Sequence, residues 1–463
     1  LASVSWILRA VDSGGRIIAD VLTVSTFAAP QITTYIFQPG DGLRTFEDTT
    51  HGAPQLQFGD YPASSADSVG PTRFLADGRI MTFNAILTDI DDREFAIIRP
   101  GSQTATITKY NGERYVAGIN QFNELILFHY QGTTWTVRRI GDNLVSNTAE
   151  ITMFGGGNAL TETFVVLADD GDLLLFGADD VQPGSVTLSS PEMRTPIVRN
   201  LTSFTNTVGV VHLAGLDADG HLVLYFRNES QFVRSPFGWT YDDLTETHFD
   251  PQSMATPMFA SHLTAYSTSW NGMNIAGLDS QGHVQVTWWA PGMTLWQLAD
   301  VSASTQGAEA VFTGEISAFV TPWNTMHING VLASTGETAA LWWAPGFGEH
   351  WRADELSPGG LPLLGSSITA FITPWAALNV AGINADTGEL DVYWWTPTTN
   401  QWISQPVLPF AQHLVGRLNS YVEVVGSTVT QSIFAQAEDG SLLQFSWTPG
   451  DTQWSVANLT ELV

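Results

Sequence analysis

Three series of marker residues recur at a spacing of about 52 residues in the C-terminal half of the chain. The first series is a glycine at Gly282, Gly336, Gly388 and Gly440. The second is a tryptophan at Trp289, Trp343, Trp395 and Trp447. The third is a later tryptophan at Trp296, Trp351, Trp402 and Trp454. Because the three series keep one phase, the chain repeats a single structural unit, and its length cannot be used to count domains.

Each unit reads as four short strands. In the unit from Thr369 to Val407, the runs TAFIT, LNVAGI, LDVYWW and QWISQPV alternate with polar or proline-containing turns. Runs rich in Val, Ile, Tyr and Trp between such turns are hairpin signals. Weaker copies extend the series toward the N-terminus, with turn centres near Asn123, Gly171 and Gly220. The sequence therefore predicts seven units.

A four-strand unit of about 40–50 residues repeated seven times is typical of a β-propeller blade. We predict an all-β propeller of four-stranded antiparallel blades with under about 10% helix. Seven blades are expected, or eight if residues 54–112 form another. On this interpretation residues 54–463 form the propeller, with regular blades at 113–463. Residues 1–53 are either a partial blade or the end of a preceding domain.

The repeat resembles those of bacterial secreted β-propellers with Trp-rich blades and, more loosely, of tectonin-type lectin propellers. The resemblance covers roughly residues 113–463. It depends on the Asp-Gly turn before an apolar third strand, the Trp that opens the fourth strand, and the blade length. It implies an exported, extracellular or cell-surface protein that binds sugars between blades. No residue matches a sugar-binding motif of that family.

Charge and composition restrict the partners. The formal net charge is −29, which opposes binding to nucleic acid and to anionic membranes. The longest apolar runs, such as Val208 to Leu216, are about half the length needed for membrane insertion. The absence of cysteine excludes disulfides and thiolate ligands. The chain begins at Leu1, which indicates a processed chain or a fragment whose export signal has been removed.

Three tryptophans are the candidate ligand contacts. Trp270, Trp323 and Trp375 follow Ser or Pro at the end of a first strand, in the loops SWNG, PWNT and PWAA. An exposed indole can bind the C–H face of a sugar, while a neighbouring amide such as Asn271 or Asn324 binds its hydroxyl groups. The alternative is that these indoles fill the gaps between blades at one mouth of the ring.

The remaining tryptophans are interpreted as structural. In each adjacent pair, such as Trp342 and Trp343, the two indoles point to opposite faces of the strand and are expected to pack against opposite neighbouring blades. Tryptophans that open the fourth strands, such as Trp296, are expected to cover the outer rim.

Candidate metal ligands are few. Asp89, Asp91 and Asp92 form the densest acidic cluster, which is either a calcium site or a plain acidic turn. His212 and His327 lie in second strands, where a metal could be held in a central channel. His221 and His283 follow the turn glycines and are interpreted as solvated turn residues. No cofactor is expected beyond a possible calcium ion.

The sequence leaves two alternative functions for this chain. The first is a non-catalytic binding or surface-scaffold propeller, whose partner is a glycan or a protein on the cell surface. The alternative is a secreted polysaccharide hydrolase or lyase, with catalytic acids in loops of the divergent N-terminal blades. Among 46 acidic residues no catalytic pair stands out, and no nucleophile elbow or P-loop is present.

Overall fold

The structure is a computed structural model. It describes residues 95–463, except for 110–111, 145–148, 156–162, 169–172, 178–185, 188–196, 228–238, 248, 250–257, 307–309, 349, 358–361 and 408–412, together with eight strands before residue 95. Contacts divide the chain into two compact units, Leu1–Phe95 and Ala96–Val463. The seven blades all belong to the second unit.

Seven four-stranded antiparallel sheets are arranged in a ring, which makes the second unit a seven-bladed β-propeller. Blade 1 contains Ala105–Thr108, Arg114–Ile119, Glu124–Gln131 and Thr134–Leu144. Blade 2 contains Glu150–Phe154, Thr163–Leu167, Leu173–Gly177 and Val186–Thr187. Blade 3 contains Arg199–Thr205, Val211–Leu216, Leu222–Arg227 and Trp239–Asp243. Blade 4 contains Ser261–Ser267, Met273–Leu278, Val284–Trp289 and Gln297–Asp300.

The last three blades follow the same pattern. Blade 5 contains Phe312–Val320, Met326–Leu332, Thr338–Trp343 and Arg352–Glu355. Blade 6 contains Leu364–Ile372, Leu378–Asn384, Leu390–Trp395 and Ile403–Pro406. Blade 7 contains Leu414–Val425, Thr428–Ala437, Leu442–Trp447 and Ser455–Asn458. One-turn helices follow the fourth strands of blades 3, 4 and 7: Leu244–Thr247, Val301–Ser304 and Leu459–Leu462. The predicted fold class and the count of seven are confirmed.

The unit Leu1–Phe95 contains only paired short strands in its described parts. They are Ala10–Val11 with Ile17–Ala19, Thr34–Gln38 with Gly42–Phe46, Ser68–Val69 with Ala85–Ile86, and Thr72–Phe74 with Ile80–Thr82. The sequence predicted a boundary after residue 53 and regular blades from residue 113. In the structure the two units divide after Phe95, and the first strand of blade 1 begins at Ala105.

The first strand of every blade lies innermost, and each contacts the first strand of the next blade around the ring. The turn between the second and third strands carries the predicted residue with positive φ, for example Gly282 at 86° and Gly388 at 70°. Asn123, with φ of 63°, takes this position in blade 1. Glycine and asparagine tolerate this conformation better than other residues, so the repeated markers are explained by backbone geometry.

Polar contacts close the ring between blades 7 and 1. The Asn419 amide Nδ2 donates to the carbonyl of Thr104 at 2.9 Å, and Arg114 Nε donates to Glu423 Oε1 at 3.2 Å. Gln436 Nε2 donates to the carbonyl of Arg99 at 2.7 Å. Every blade is built from consecutive strands, and closure depends on these side chains together with the backbone bond from the Ile98 N–H to the carbonyl of Gly440 at 2.9 Å.

The inter-blade cores contain the tryptophans in two different ways. Trp288 and Trp289 pack against different clusters, one shared with blade 5 and one with blade 3, which agrees with the opposite-face interpretation. They are only half-buried. In contrast, Trp239, Trp296 and Trp351 of the fourth strands are almost fully buried. Each indole packs in the core cluster that its own blade shares with the preceding blade, so these residues have the structural role that the sequence indicated.

His212 and His327 do not line the channel. Both are buried in their own sheets, where His212 stacks between Phe204 and Phe226 at centroid distances of 4.6 and 6.1 Å. His327 stacks in the same way between Phe319 and Trp342. Burial lowers the pKa of His212 to about 4 and that of His327 to about 3, so both stay neutral near pH 7. Neither side chain reaches the channel, because the second strands lie behind the first strands.

Candidate functional site

Trp270, Trp323 and Trp375 stand in three equivalent turns between the first and second strands of blades 4, 5 and 6. Each turn begins with a buried threonine: Thr268, Thr321 or Thr373. In blade 4 the Thr268 backbone N–H donates to the carbonyl of Gly272, and the Gly272 N–H donates to the Thr268 hydroxyl, both at 2.9 Å. The same bonds recur in the other two turns. These three-residue loops therefore hold each tryptophan in the same orientation relative to its blade.

The residue after each tryptophan has a left-handed backbone. Asn271, Asn324 and Ala376 have φ of 62°, 67° and 63°. Asparagine adopts this conformation more readily than most residues, since its short polar side chain can bond locally. In the Trp-Asn pairs, asparagine thus satisfies the left-handed backbone of the turn and also adds an amide next to the tryptophan in sequence.

The three indoles are exposed at closely similar levels. Trp270, Trp323 and Trp375 expose 41%, 43% and 39% of their surface. A large aromatic side chain that leaves this much apolar surface in water gives up part of its burial free energy. The alternative that these residues only fill the gaps between blades would require indoles buried on both faces.

Two of the exposed indoles, Trp323 and Trp375, lie at the border with the next blade. The Trp323 ring of blade 5 lies 6.3 Å from the Trp395 ring of blade 6, with a tilt of 57°. Trp375 of blade 6 and Trp447 of blade 7 repeat this arrangement at 6.2 Å and 57°. Trp395 and Trp447 are half-buried ends of third strands. The turn indole is therefore supported from behind by a fixed indole of the neighbouring blade.

The two asparagines connect consecutive turns. The Thr207 hydroxyl of blade 3 donates to Asn271 Oδ1 at 2.9 Å, and the Ser269 hydroxyl of blade 4 donates to Asn324 Oδ1 at 2.6 Å. These bonds use the oxygen of each amide and fix its plane. The Asn271 amide therefore faces the turn of blade 3, and the Asn324 amide faces the turn of blade 4, with Nδ2 left as a donor in each.

Blade 3 has the same turn without the indole. The Asn206 amide oxygen accepts the N–H of Val210 at 2.9 Å, as the threonine hydroxyls do in blades 4 to 6. Gly209 holds the left-handed position, with φ of 85°, and Val208 stands where the tryptophan would be. Val208 is 69% exposed. Blade 3 thus provides the scaffold of a fourth site but lacks its aromatic side chain.

A second exposed aromatic group lies on blade 5. Phe347, which is 50% exposed, makes an edge contact with Trp342 at 5.4 Å. The Arg352 guanidinium lies 4.8 Å from the Phe347 ring centre and 5.4 Å from that of Trp342. This group stands in the turn after the third strand and belongs to one blade only. It is an exposed aromatic outside the three repeated positions.

The central channel is polar and contains a cavity of about 240 Å³. Its wall consists mainly of Thr, Ser and Asn from first strands, with Arg417 as its cation. Two-residue bulges near the start of the first strands of blades 5, 6 and 7 bring Glu315, Ser367 and Arg417 together. Arg417 Nε lies 3.2 Å from Glu315 Oε1, and the Ser367 hydroxyl donates to Glu315 Oε2 at 3.1 Å. Burial raises the pKa of Glu315 against the opposing effect of Arg417.

The predicted calcium ligands Asp89, Asp91 and Asp92 lie outside the described residues. Within the part of the chain that the structure describes, one group of three potential metal ligands comes together: Asp217, His221 and Asp243 of blade 3. The sequence had assigned His221 to a solvated turn. The missing signal was Asp243, which strand pairing brings to the turn from the end of the fourth strand.

The sequence matches no protein-family model and no curated protein. Solved structures show that the fold is shared. The chain resembles the BP39L lectin of Burkholderia pseudomallei at a TM-score of 0.60 and 15% identity, covering 77% of this chain and 98% of that one.

Two further likenesses are weaker. AofleA of Arthrobotrys oligospora matches at a TM-score of 0.45 and 12% identity, covering 79% of this chain and 88% of that one. The polysaccharide lyase Uly1 matches at 0.47 and 11%, covering 78% and 91%. At such TM-scores neither likeness supports a conclusion about this chain. Among the described residues, no helix combines the length and apolarity that a membrane crossing requires.

Proposed function

We propose that this chain is a carbohydrate-binding propeller that uses three equivalent inter-blade sites at Trp270, Trp323 and Trp375. The observation that carries the proposal is the exposure of about two-fifths of each indole at the same position of three successive blades. Packing alone does not account for a repeated turn that leaves a large aromatic side chain in water.

The physical character of the sites suits a saccharide. A sugar ring has an apolar C–H face and a polar edge, and an indole beside an amide complements both. Trp395 and Trp447 hold two of the turn indoles in place, so little side-chain entropy would be lost on binding.

The three sites should differ in strength. Asn271 and Asn324 add amide groups to the first two turns, whereas Ala376 follows Trp375. The third site therefore lacks that hydrogen-bonding group and should bind more weakly. Because the sites repeat around one mouth of the ring, a branched or clustered glycan could engage several of them, and avidity would exceed the affinity of any one site.

The likeness to BP39L, a lectin on the same fold, supports sugars as the ligand class, although an identity of 15% carries no site residues across. An extracellular or cell-surface location, where a multivalent glycan binder would meet its ligand, is part of the same proposal.

The test is a glycan array probed with the wild-type protein and with the triple variant Trp270→Ala, Trp323→Ala, Trp375→Ala. We expect the wild type to bind a defined set of glycans and the triple variant to lose that binding. The matched control is Phe347→Ala, which removes an exposed aromatic away from the three sites and should leave the array pattern unchanged.

The outcome that contradicts the proposal is equal binding by the wild type and the triple variant. Polysaccharide cleavage retained by the triple variant would instead support the hydrolase or lyase alternative. A thermal unfolding measurement on each variant establishes that the substitutions at exposed positions leave the propeller folded.

A further inference from the structure

The geometry points to a divalent transition-metal site on blade 3, formed by Asp217, His221 and Asp243 and suited to an ion such as Zn²⁺. One potential ligand atom from each residue lies within 4.8 Å of the other two. The site lies at the mouth of the ring formed by turns between second and third strands. The turn tryptophans lie at the opposite mouth, so this inference is independent of the proposed sugar sites.

The turn of blade 3 fixes the first ligand. Asp217 Oδ1 accepts the backbone N–H groups of Asp219 at 2.9 Å and His221 at 2.8 Å. These bonds orient the carboxylate so that Oδ2 faces the imidazole of His221. The side chain cannot rotate without breaking both bonds, and the ligand is therefore held in position.

The end of the fourth strand supplies the second carboxylate. Asp243 pairs with Val223 across the sheet, next to the turn. Its Oδ1 accepts the backbone N–H of Glu246 at 3.0 Å at the start of the helix Leu244–Thr247, while its Oδ2 lies 3.2 Å from His221 Nδ1. Both carboxylates thus use one oxygen to bind the backbone and present the other to the same ring nitrogen.

The spacing of the donor atoms agrees with a tetrahedral ion. Bond lengths of about 2.1 Å to nitrogen and oxygen place neighbouring ligands about 3.4 Å apart. His221 Nδ1 lies 3.2 Å from Asp243 Oδ2 and 3.8 Å from Asp217 Oδ2. After small side-chain movements an ion can bind all three atoms from a position just out of the plane of this triangle, with water as the fourth ligand on that side.

A second observation points to a ligand. Asp217 is 1% exposed, and its buried Oδ2 accepts no hydrogen bond. A buried carboxylate oxygen that accepts no hydrogen bond destabilises the fold, and the imidazole of His221 at 3.8 Å is too distant to donate one. A cation bound between the two side chains would supply a direct ligand contact to this oxygen. His221 is partly exposed and leaves the group accessible from solvent.

The donor set selects the class of metal. One imidazole nitrogen with two carboxylate oxygens suits zinc and related first-row ions. Calcium prefers six to eight oxygens, and magnesium prefers an octahedron of oxygens, so both fit poorly. A proton and the metal compete for the same Nδ1 of His221, so binding should weaken as the pH falls.

Blade 4 provides an internal control. Asp279, His283 and Asp300 occupy the corresponding positions, and Asp300 pairs with Gln285 as Asp243 pairs with Val223. His283 Nδ1 lies 3.4 Å from Asp279 Oδ2. Asp300, however, is exposed and caps its helix, and among the described residues these three do not form a metal-sized group.

The experiment is isothermal titration of the untagged, chelator-treated protein with ZnCl₂ near neutral pH. We expect one saturable equivalent, and titration with CoCl₂ should give the visible absorption of a four-coordinate Co²⁺ ion. His221→Gln and Asp217→Asn should each weaken Zn²⁺ binding at least about tenfold. His283→Gln should bind as the wild type does, and CaCl₂ should not displace Zn²⁺.

Two results would overturn the inference. One is the absence of a saturable Zn²⁺ site in a folded wild-type protein. The other is a site whose affinity is unchanged in His221→Gln or reduced equally in His283→Gln. Because His221 lies at a partly exposed turn position that holds Glu, Ser or His in blades 4 to 7, its substitution should not prevent folding.

Discussion

Blades 3 and 4 share the same arrangement of strands and differ in the turns at both ends of the sheet. In both, the second and third strands pair over six residues and a fourth-strand aspartate begins a one-turn helix. At one mouth of the ring blade 4 presents Trp270 where blade 3 presents Val208. At the other mouth blade 3 brings Asp217, His221 and Asp243 together, whereas blade 4 keeps Asp300 in solvent. The comparison shows that side chains of the strands form the packed core, whereas side chains of the turns can change without altering the arrangement of the strands.

The largest expected effect is on the free energy of unfolding, and it tests whether the two blades share the same core packing. Trp239→Ala in blade 3 and Trp296→Ala in blade 4 each remove an almost fully buried indole. Each should lower the free energy of unfolding by about 3–5 kcal/mol, as buried large-to-small substitutions do. Trp270→Ala, at an exposed turn, should change it by less than about 1 kcal/mol.

Chemical denaturation of the three variants measures these values. A loss of several kcal/mol in Trp270→Ala would mean that the turn indole is part of the core, and the distinction between strand and turn tryptophans would fail.

The next effect is a pH dependence that blade 3 has and blade 4 lacks. His212 and Asn274 occupy the same place in the two blades, each opposite an aromatic residue on the first strand. Burial lowers the pKa of His212 to about 4, while in the unfolded chain it is about 6.5. The unfolded state therefore binds the proton first as the pH falls, and stability is lost between about pH 6.5 and 4, with a slope of up to about 1.4 kcal/mol per pH unit.

His212→Asn, which copies blade 4, should flatten this part of the stability profile. Unfolding free energies at pH 7, 6 and 5 for the variant and wild type provide the measurement, and taking their difference removes the contribution of other titrating groups. Parallel profiles would show that His212 is not held neutral by the fold.

The smallest expected effect is the transfer of a sugar site between the blades. Val208→Trp places an indole on a turn with the same hydrogen bonds and should raise the saccharide stoichiometry from three to four, with little change in stability. The reverse change, Trp270→Val, should reduce it to two. Calorimetric titration with one saccharide identified on the array gives both numbers, and an unchanged stoichiometry in both variants would break the correspondence between the two turns.

The sequence predicted the parts of this structure that repeat. The phase of the glycine and tryptophan markers was sufficient to predict the four-stranded blade. The loops around Trp270, Trp323 and Trp375 were identified because polar neighbours interrupt an apolar pattern there. It did not predict that blade 3 covers Trp296, since strand alternation cannot indicate which neighbouring blade covers a side chain.

Contacts between distant residues were also missed. Asp243 reaches His221 through strand register, and Arg417 reaches Glu315 across the channel from another blade. Neither pair belongs to a local motif. One signal was available for the first pair, because blades 3 and 4 both have an aspartate four residues before the turn histidine and a second aspartate at the end of the fourth strand.

The central claim is that the turn tryptophans contact the ligand, and a crystal structure with an array-selected oligosaccharide tests it most directly. The account predicts sugar rings against the exposed faces of Trp270, Trp323 and Trp375, with the best occupancy where Asn271 or Asn324 adds an amide, and no sugar at Val208. Sugar bound in the central channel beside Arg417, with the three indoles unoccupied, would contradict it.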